Sequence, residues 1–526
     1  MTAATHLRIA LLVVGAVPLA LAAPVTPPPK PLRAAPVTLP QGPQFAIDQL
    51  RVAGRLLSVH VEDVNGDGKR DLLAIYLDGA PPHVQRRIAL FLHHGAFHAL
   101  PDQVLAVPAG ASFVDLADLD GDGRSELLFG NAEGLSFIAG GANGFVGAPQ
   151  RLLAIEGLVL LAAEEDLPFI DVARDWRGDG RPAGAARGTA IVLPLVDRLA
   201  LITRAEDGHW ARTGDLRLPP HAAYALRSDV RDPRARNYWL RAVLTVPELH
   251  LADFDGDGHP DLIAVLDDAI TVFHGDSAAL FAPVPIAIIP LGTRTAAEAE
   301  RGNAIVQVTV RDFDGDGIAD LAVNKVTGGI GAMHAQTGFY YGKKGGGYGR
   351  PAQVIARDGF AGALLFADLD GDGRPELVVP HTSVGFGEAV RIVLARRMTL
   401  GFEVHENLGE KGFAPAAAID LPIDLAIDYS VGAELDSPFP NLDGDFNGDG
   451  RTDLAAPKGD GLGIFLGGGK SLLAEYPKAI VHLPMSRWLE VVDLDGDRRA
   501  DVVLFYRFKP DRQGSIVVLR NTGQGW

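Results

Sequence analysis

At 526 residues, with 47% apolar and 22% charged side chains, the chain is too long for one ordinary core and too apolar to be disordered, so it calls for several domains or one large repeat array. Its 66 acidic against 48 basic side chains give a net charge of -18, which argues against a nucleic-acid backbone as partner and leaves cations as natural ones. With 0 Cys, disulfides, thiolate metal sites, a cysteine nucleophile and lipid attachment through an N-terminal Cys are excluded, while 62 Gly and 36 Pro imply many turns and few long helices.

The chain opens with one Arg, an apolar run from Ile9 to Ala22 broken by Pro18, and small residues at Ala20 and Ala22. This predicts a secretory signal peptide over residues 1–22, cleaved after Ala22, because the run falls short of the roughly 20 residues that span a bilayer. The mature chain is then expected to carry no transmembrane segment and to be secreted, periplasmic or extracellular. Residues 23–43 hold eight prolines and are expected to form an extended linker.

From residue 44 onward the sequence repeats. "DVNGDGKRD" starts at Asp63, "DLDGDGRSE" at Asp118, "DFDGDGHPD" at Asp253, "DFDGDGIAD" at Asp312, "DLDGDGRPE" at Asp368, "DFNGDGRTD" at Asp445 and "DLDGDRRAD" at Asp493, with a worn copy, "DWRGDGRPA", at Asp175. Successive starts are 55, 57, 78, 59, 56, 77 and 48 residues apart, a unit near 57 with two insertions of about 20.

Each unit shows an apolar run before the acidic loop, a second after it, a third ending in a Gly-rich turn and usually an aromatic, and a weaker fourth. The third runs are read in "ALFLHHGAF", "LSFIAGGANGF", "GFYYGKKGGGY" and, in the sixth unit, "RIVLARRMTLGF"; the seventh, "LGIFLGGGKSLL", lacks the aromatic. Four antiparallel strands repeated radially predict an all-β propeller over residues 44–526, of eight blades with seven as the alternative. The last unit stops at Trp526 after its third run. Residues 45–52 precede the first loop much as "DQVLAV" precedes the second: Asp48 lies 15 residues before Asp63, and Asp102 lies 16 before Asp118. The N-terminal strand is therefore expected to complete the last blade, closing the ring and removing its edges. The propeller is expected to be monomeric.

The loops suit Ca²⁺, which takes several oxygen ligands from a tight turn, with side chains at positions 1, 3, 5 and 9, the carbonyl at position 7, and Gly at position 6 for the sharp bend. The expected ligands are Asp63, Asn65, Asp67, Lys69 and Asp71; Asp118, Asp120, Asp122, Arg124 and Glu126; Asp253, Asp255, Asp257, His259 and Asp261; and Asp312, Asp314, Asp316, Ile318 and Asp320. The later loops offer Asp368, Asp370, Asp372, Arg374 and Glu376; Asp445, Asn447, Asp449, Arg451 and Asp453; and Asp493, Asp495, Asp497, Arg499 and Asp501. An EF-hand needs Glu at position 12 and flanking helices, but that position holds Val323 or Ala74 and the flanks alternate like strands. Repetition also does not suit a single catalytic carboxylate pair. In the worn copy Arg177 and Ala183 replace ligands, so no calcium is expected at Asp175; Arg498 replaces the position-6 Gly, so the eighth site is expected to be weakened. Six or seven sites remain.

These loops resemble the FG-GAP/VCBS repeat family, which includes the propeller of integrin α subunits, and the resemblance runs over roughly residues 45–526. "GFVGAP" (144–149) approximates the family's name-giving motif. The resemblance implies structural calcium in the loop between the first and second strands and a protein or glycan partner on the opposite face, hence a binding or adhesion module. The insertions 223–242 and 428–440 and the long loop 324–336 are expected on that face, with Arg234, Arg236, Tyr238 and Trp239 as candidate partner contacts. Tolerated loop growth is the plainer alternative.

Enzyme signatures are weak. "GLGIFLGGGKS" misspaces a phosphate loop by one residue, and His93, His94 and His98 read as turn and surface residues. No catalytic residue is assigned. A secreted polysaccharide lyase on an eight-bladed calcium propeller stands as the alternative by fold analogy alone.

Overall fold

The computed structural model describes residues 43–526 apart from 81–82, 156–165, 179–188, 220–221, 229–237, 245, 267–268, 277–279, 293, 296–297, 299–303, 329–332, 363, 383–393, 429–433 and 508. The expected signal peptide and nearly all of the proline-rich linker lie outside the described residues.

The chain folds as a β-propeller of eight four-stranded antiparallel blades. Blade 1 is Arg55–Glu62, Asp71–Asp78, Gln85–Phe91 and Gln103–Ala106, and blade 2 is Phe113–Ala117, Glu126–Asn131, Gly134–Ala139 and Val146–Ala154. Blade 3 is Ala173–Arg174, Ala190–Pro194, Arg198–Arg204 and Trp210–Arg217; blade 4 is Glu248–Ala252, Asp261–Leu266, Ala269–Phe273 and Ala287–Pro290. Blade 5 is Ile305–Arg311, Asp320–Thr327, His334–Tyr340 and Gln353–Asp358, and blade 6 is Leu365–Ala367, Glu376–Thr382, Arg397–His405 and Ile419–Asp428, with Phe360–Ala361 also paired to its second strand. Blade 7 is Asn441–Gly444, Asp453–Lys458, Gly461–Phe465 and Ala479–His482; blade 8 is Trp488–Val492, Asp501–Phe505, Ser515–Asn521 and, from the start of the chain, Phe45–Arg51.

Burial follows strand rank. Second strands lie between neighbouring blades and read as continuous apolar runs, so Asp501–Phe505 is buried throughout, whereas fourth strands face solvent on one side and Gln103–Ala106 alternates. Each seam between blades carries its own apolar cluster. Leu56, Phe91, Leu494 and Ile516 fill the seam of blades 8 and 1, and Phe446, Leu462, Val502 and Leu519 that of blades 7 and 8.

The N-terminal strand closes the ring as the sequence predicts. It pairs with Ser515–Asn521 from Phe45↔Asn521 to Arg51↔Ser515. Phe45 and Leu50 are 4% and 2% exposed, and Phe45 meets Phe446 and Trp526 edge-on. Burying each such side chain stabilises by about 1.5–3 kcal/mol. Asp48 ties the closure further: it pairs with Arg520 at 2.7 Å and accepts the Phe97 N–H at 3.0 Å.

One strand differs from the sequence reading. The third strand of blade 6 is Arg397–His405, so Phe402 lies within it and the turn aromatic is Phe413, bridged to Asn407. The "RIVL" run invites an earlier start, but Leu394 stands in a helical turn, and residues 391–393 lie outside the described residues. In blade 7 the matching bridge joins Gly467 to Leu473, whose buried side chain stands where the aromatic is lost. This turn also contains the phosphate-loop-like "GGGKS", with no helix after it.

Asp48→Ala leaves Arg520 and the Phe97 N–H without their partner and should cost about 2 kcal/mol, read from the urea midpoint. Deleting residues 43–51 should lower the melting temperature further and promote aggregation through the exposed edge. Unchanged midpoints in both variants would show that blade 8 stands without its outer strand.

Candidate metal centres on the loop face

All seven intact loops share one hydrogen-bond pattern, which follows from the short side chain of Asp bonding to nearby backbone. The position-1 carboxylate accepts the N–H groups of positions 4 and 6: Asp312 receives Gly315 at 2.7 Å and Gly317 at 2.9 Å. Positions 3 and 5 each accept the N–H two residues on, as Asp314 does from Asp316 at 3.2 Å and Asp316 from Ile318 at 2.8 Å. The bend at position 6 requires positive φ, 85° at Gly317. Arg498 takes the same conformation at φ 68° and donates to Asp493 at 2.8 Å, so the strain expected at the eighth loop is present while the loop shape is kept.

The position-9 acid reaches deepest. Asp71, Glu126, Asp261, Asp320, Glu376, Asp453 and Asp501 are each no more than 3% exposed. Each accepts the N–H of position 2, as Asp320 does from Phe313 at 2.8 Å and Glu376 from Leu369 at 2.7 Å. In six of them the other oxygen accepts the N–H at the exit of the third strand; for Asp320 this is Gly342, at 2.7 Å. Position 2 meanwhile plugs the core with Val64, Leu119, Phe254, Phe313, Leu369, Phe446 or Leu494. Burial, with neighbouring loop carboxylates adding to it, pushes Asp71 and Asp453 up to about 6 and Asp320, Glu376 and Asp501 up to about 7.

The donor set fits a hard divalent cation. Asp118, Asp120 and Asp122, and likewise Asp253, Asp255 and Asp257, present carboxylate oxygens within 4.8 Å of one another; in the fourth loop Asp261 lies equally close to Asp255 and His274. Each carboxylate oxygen keeps a lone pair beyond its backbone bond. At position 7 the carbonyl is the offered ligand, while the side chain turns to position 5: Arg124 donates to Asp122 at 3.2 Å, and Arg374 and Arg499 contact Asp372 and Asp497. In the third loop Asp175 still accepts from Arg177 and Gly178, and Trp176 is buried as the core plug, but residues 179–188, with expected position 9, lie outside the described residues.

Sequence reasoning missed the links between loops. The position-8 N–H donates to the loop of the preceding blade: Arg70 to Leu494 O, Ser125 to Val64 O, Ala319 to Asp253 O, Thr452 to Asp368 O and Ala500 to Asp445 O, at 2.7–3.0 Å. Position 8 of blades 4 and 6 is Pro260 and Pro375, which have no N–H. Asn407 Nδ2 bonds Phe313 O and Pro375 O, as Asn521 Nδ2 bonds Phe446 O and Ala500 O in blade 8. Gln103 and Gln353 each clamp both backbone groups of the turn aromatic one blade on, Phe145 and Phe413. Asp115, wholly buried, accepts Val172 and Ala173 N–H and so fixes the two-residue first strand of blade 3. Such bonds join residues distant in the sequence, 32 apart for Asn407 and Pro375 and 94 apart for Asn407 and Phe313, and leave no local periodicity. His94, His98 and Asp102 do gather at the surface, whereas His93 is buried against Phe97.

Arg234 and Arg236 lie outside the described residues. Tyr238 and Trp239 begin the second strand of a hairpin, Ala222–Ser228 with Tyr238–Leu244, paired Ser228↔Tyr238 and Arg227↔Trp239. It stands between the fourth strand of blade 3 and the first of blade 4.

The FG-GAP-like repeat family model matches residues 63–129, 253–323 and 445–504. The chain is an eight-bladed β-propeller carrying FG-GAP-like repeats. No curated protein matches it. Among solved structures it is similar to an Agrocybe aegerita lectin that recognises non-reducing terminal N-acetylglucosamine, at 14% identity over 92% of this chain and 97% of that one, TM-score 0.38. It is also similar to Chaetomium thermophilum Sqt1, at 11% identity over 90% and 96%, TM-score 0.41, and to a Lactobacillus plantarum protein, at 12% over 67% and 82%, TM-score 0.33. Likeness at this level carries nothing about ligand or activity.

Asp320→Ala removes the acceptor for two buried N–H groups and should cost about 3 kcal/mol in urea unfolding, since hydrogen bonds to charged groups contribute about 1.5–3 kcal/mol each. A cost under about 1 kcal/mol would show that the ninth acid does not hold the loop.

Proposed function

We propose that the protein is a secreted, calcium-stapled propeller that binds a protein or glycan partner as an adhesion or recognition module. The observation that supports this reading is the seven-fold recurrence of one oxygen-donor loop, with positions 1, 3 and 5 folded around a common point and the ninth acid buried beneath it. When bound, Ca²⁺ supplies positive charge to carboxylates that otherwise repel one another. Asp63, Asn65, Asp67 and Asp71 would hold it in blade 1, and the matching residues in blades 2, 4, 5, 6, 7 and 8; the loop at Asp175 lacks the donors.

Partner binding falls to the other face. Antiparallel strands put the first-to-second turns at one end of each blade and the second-to-third hairpins and blade crossovers at the other. The Ala222–Leu244 hairpin, the extension Glu434–Leu435 paired to Asp428 and Ile427, and the hairpin joining Asp320–Thr327 to His334–Tyr340 therefore share the end opposite the loops. Recognition by Arg234, Arg236, Tyr238 and Trp239 belongs to this reading, as does binding without turnover.

Chelation with EGTA should lower the melting temperature, and calcium should restore it; at 100 times Kd each filled site contributes about 2.7 kcal/mol. An unmoved melting curve would overturn the calcium reading. Deleting residues 229–237 should abolish partner capture while leaving calcium-dependent melting intact, and incubation with polysaccharides should release no unsaturated products. Capture retained after the deletion would remove the insert from the binding surface.

A further inference from the structure

The turn between the third and fourth strands of blade 1 gathers metal-ligating side chains that the calcium loops do not use. The sequence alone reads His94 and His98 as surface residues of this turn, and the structure brings both imidazoles to the carboxylate of Asp102, which stands just before the fourth strand. His98 Nδ1 lies 3.1 Å and His94 Nε2 3.8 Å from Asp102 Oδ1, and one ligand atom from each of the three residues lies within 4.8 Å of the other two. The two rings stand 5.3 Å apart at 38°.

An ordinary ion pair accounts for one of these imidazoles and leaves the other. Elsewhere a carboxylate meets a single ring, as Asp358 meets His334 at 3.2 Å and Asp460 meets His482 at 2.8 Å. Here His98 makes the hydrogen bond to Oδ1, while His94 Nε2 faces the same oxygen from too far away to bond it. Among the described residues no Lys or Arg pairs with Asp102, so no fixed cation takes the place between the three donors. The second oxygen of Asp102 accepts the Leu92 N–H at 2.8 Å, which fixes the carboxylate and leaves Oδ1 toward the rings. A ligating carboxylate in a metal site is held in this way. The turn itself is pinned as well: Asp48 accepts the Phe97 N–H at 3.0 Å, Arg520 donates to Gly95 O at 2.9 Å, and the buried rings of His93 and Phe97 meet edge-on.

We propose that His94 Nε2, His98 Nδ1 and Asp102 Oδ1 bind one Zn²⁺, with water completing its shell. Tetrahedral ligands at zinc bond lengths stand about 3.3 Å apart, between the 3.1 and 3.8 Å that the two nitrogens keep from Oδ1. Two imidazoles with one carboxylate favour zinc over calcium, which separates this site from the all-oxygen loops. The imidazoles are 49% and 65% exposed, so the ion has a way in from solvent. Bound there, zinc joins the exit of the third strand to the start of the fourth, across the turn that grips Asp48 of the closing strand, and so tightens the seam where the two ends of the fold meet.

The test is calorimetric titration of the untagged full chain with Zn²⁺ at saturating calcium, so that the oxygen loops do not compete, with melting curves recorded alongside. One zinc per chain should bind, and His94→Ala, His98→Ala and Asp102→Asn should each weaken binding at least about 10-fold. The two histidine variants change exposed side chains, and Asp102→Asn keeps an oxygen for the Leu92 N–H, so circular dichroism should be unchanged in all three. His482→Ala, which removes an imidazole from a single-ring pair, should leave the affinity unmoved. Zinc should raise the melting temperature of the unaltered chain and of His482→Ala but not of His98→Ala. Absence of zinc binding, binding unmoved by His94→Ala or His98→Ala, binding lost in His482→Ala, or an equal rise in melting temperature with and without His98 would overturn the proposal.

Discussion

The rest of the structure depends on a buried carboxylate at the ninth position of each loop. A single Asp or Glu accepts the N–H of position 2, and in six blades it also accepts the N–H that leaves the third strand, so three strands of a blade are fastened at one point. This arrangement fixes the loop above it. With position 2 pinned and its side chain in the core, positions 1, 3 and 5 can satisfy the turn only by folding inward. The same burial raises the cost of ionising the acid, and the neighbouring carboxylates add to it. A cation over the loop would offset both.

These fastenings join into a ring. Loop carbonyls accept N–H groups from the next blade, apolar clusters fill the seams, and the N-terminal strand supplies the outer edge of blade 8. A protein without cysteine gains by this closure what a disulfide would otherwise give: a long-range link between the two ends of the fold, carried by seven backbone pairs and the Asp48–Arg520 ion pair. Asn407 and Asn521 add side-chain bonds across two of the seams, and Leu473 fills the place of an absent aromatic in blade 7.

Much of this was legible in the sequence because it is local or periodic. The DxDGDGxxD spacing, the strand order and the role of residues 45–52 are features of short windows repeated along the chain, and the observed strands follow them. Arg498 was readable as a strained turn because its neighbours in the repeat are glycines. The third strand of blade 6 was misplaced because two apolar runs, 391–394 and 397–405, compete within one unit and only packing chooses between them. Asp115, Gln103, Gln353 and Asn407 were invisible because their partners lie in another blade or across a turn. His94, His98 and Asp102 are close in the sequence, but only the path of the turn brings both rings to one carboxylate oxygen.

The loop face fastens the strands of each blade, and the crossovers and second-to-third hairpins lie at the other end. The central claim, that calcium holds the loops, is tested most directly by a crystal structure grown in calcium with anomalous diffraction recorded. The account predicts one ion in each loop beginning at Asp63, Asp118, Asp253, Asp312, Asp368 and Asp445, lower occupancy at Asp493, and none at Asp175. Loops holding the same backbone conformation with no ion in any of them, at saturating calcium, would contradict it.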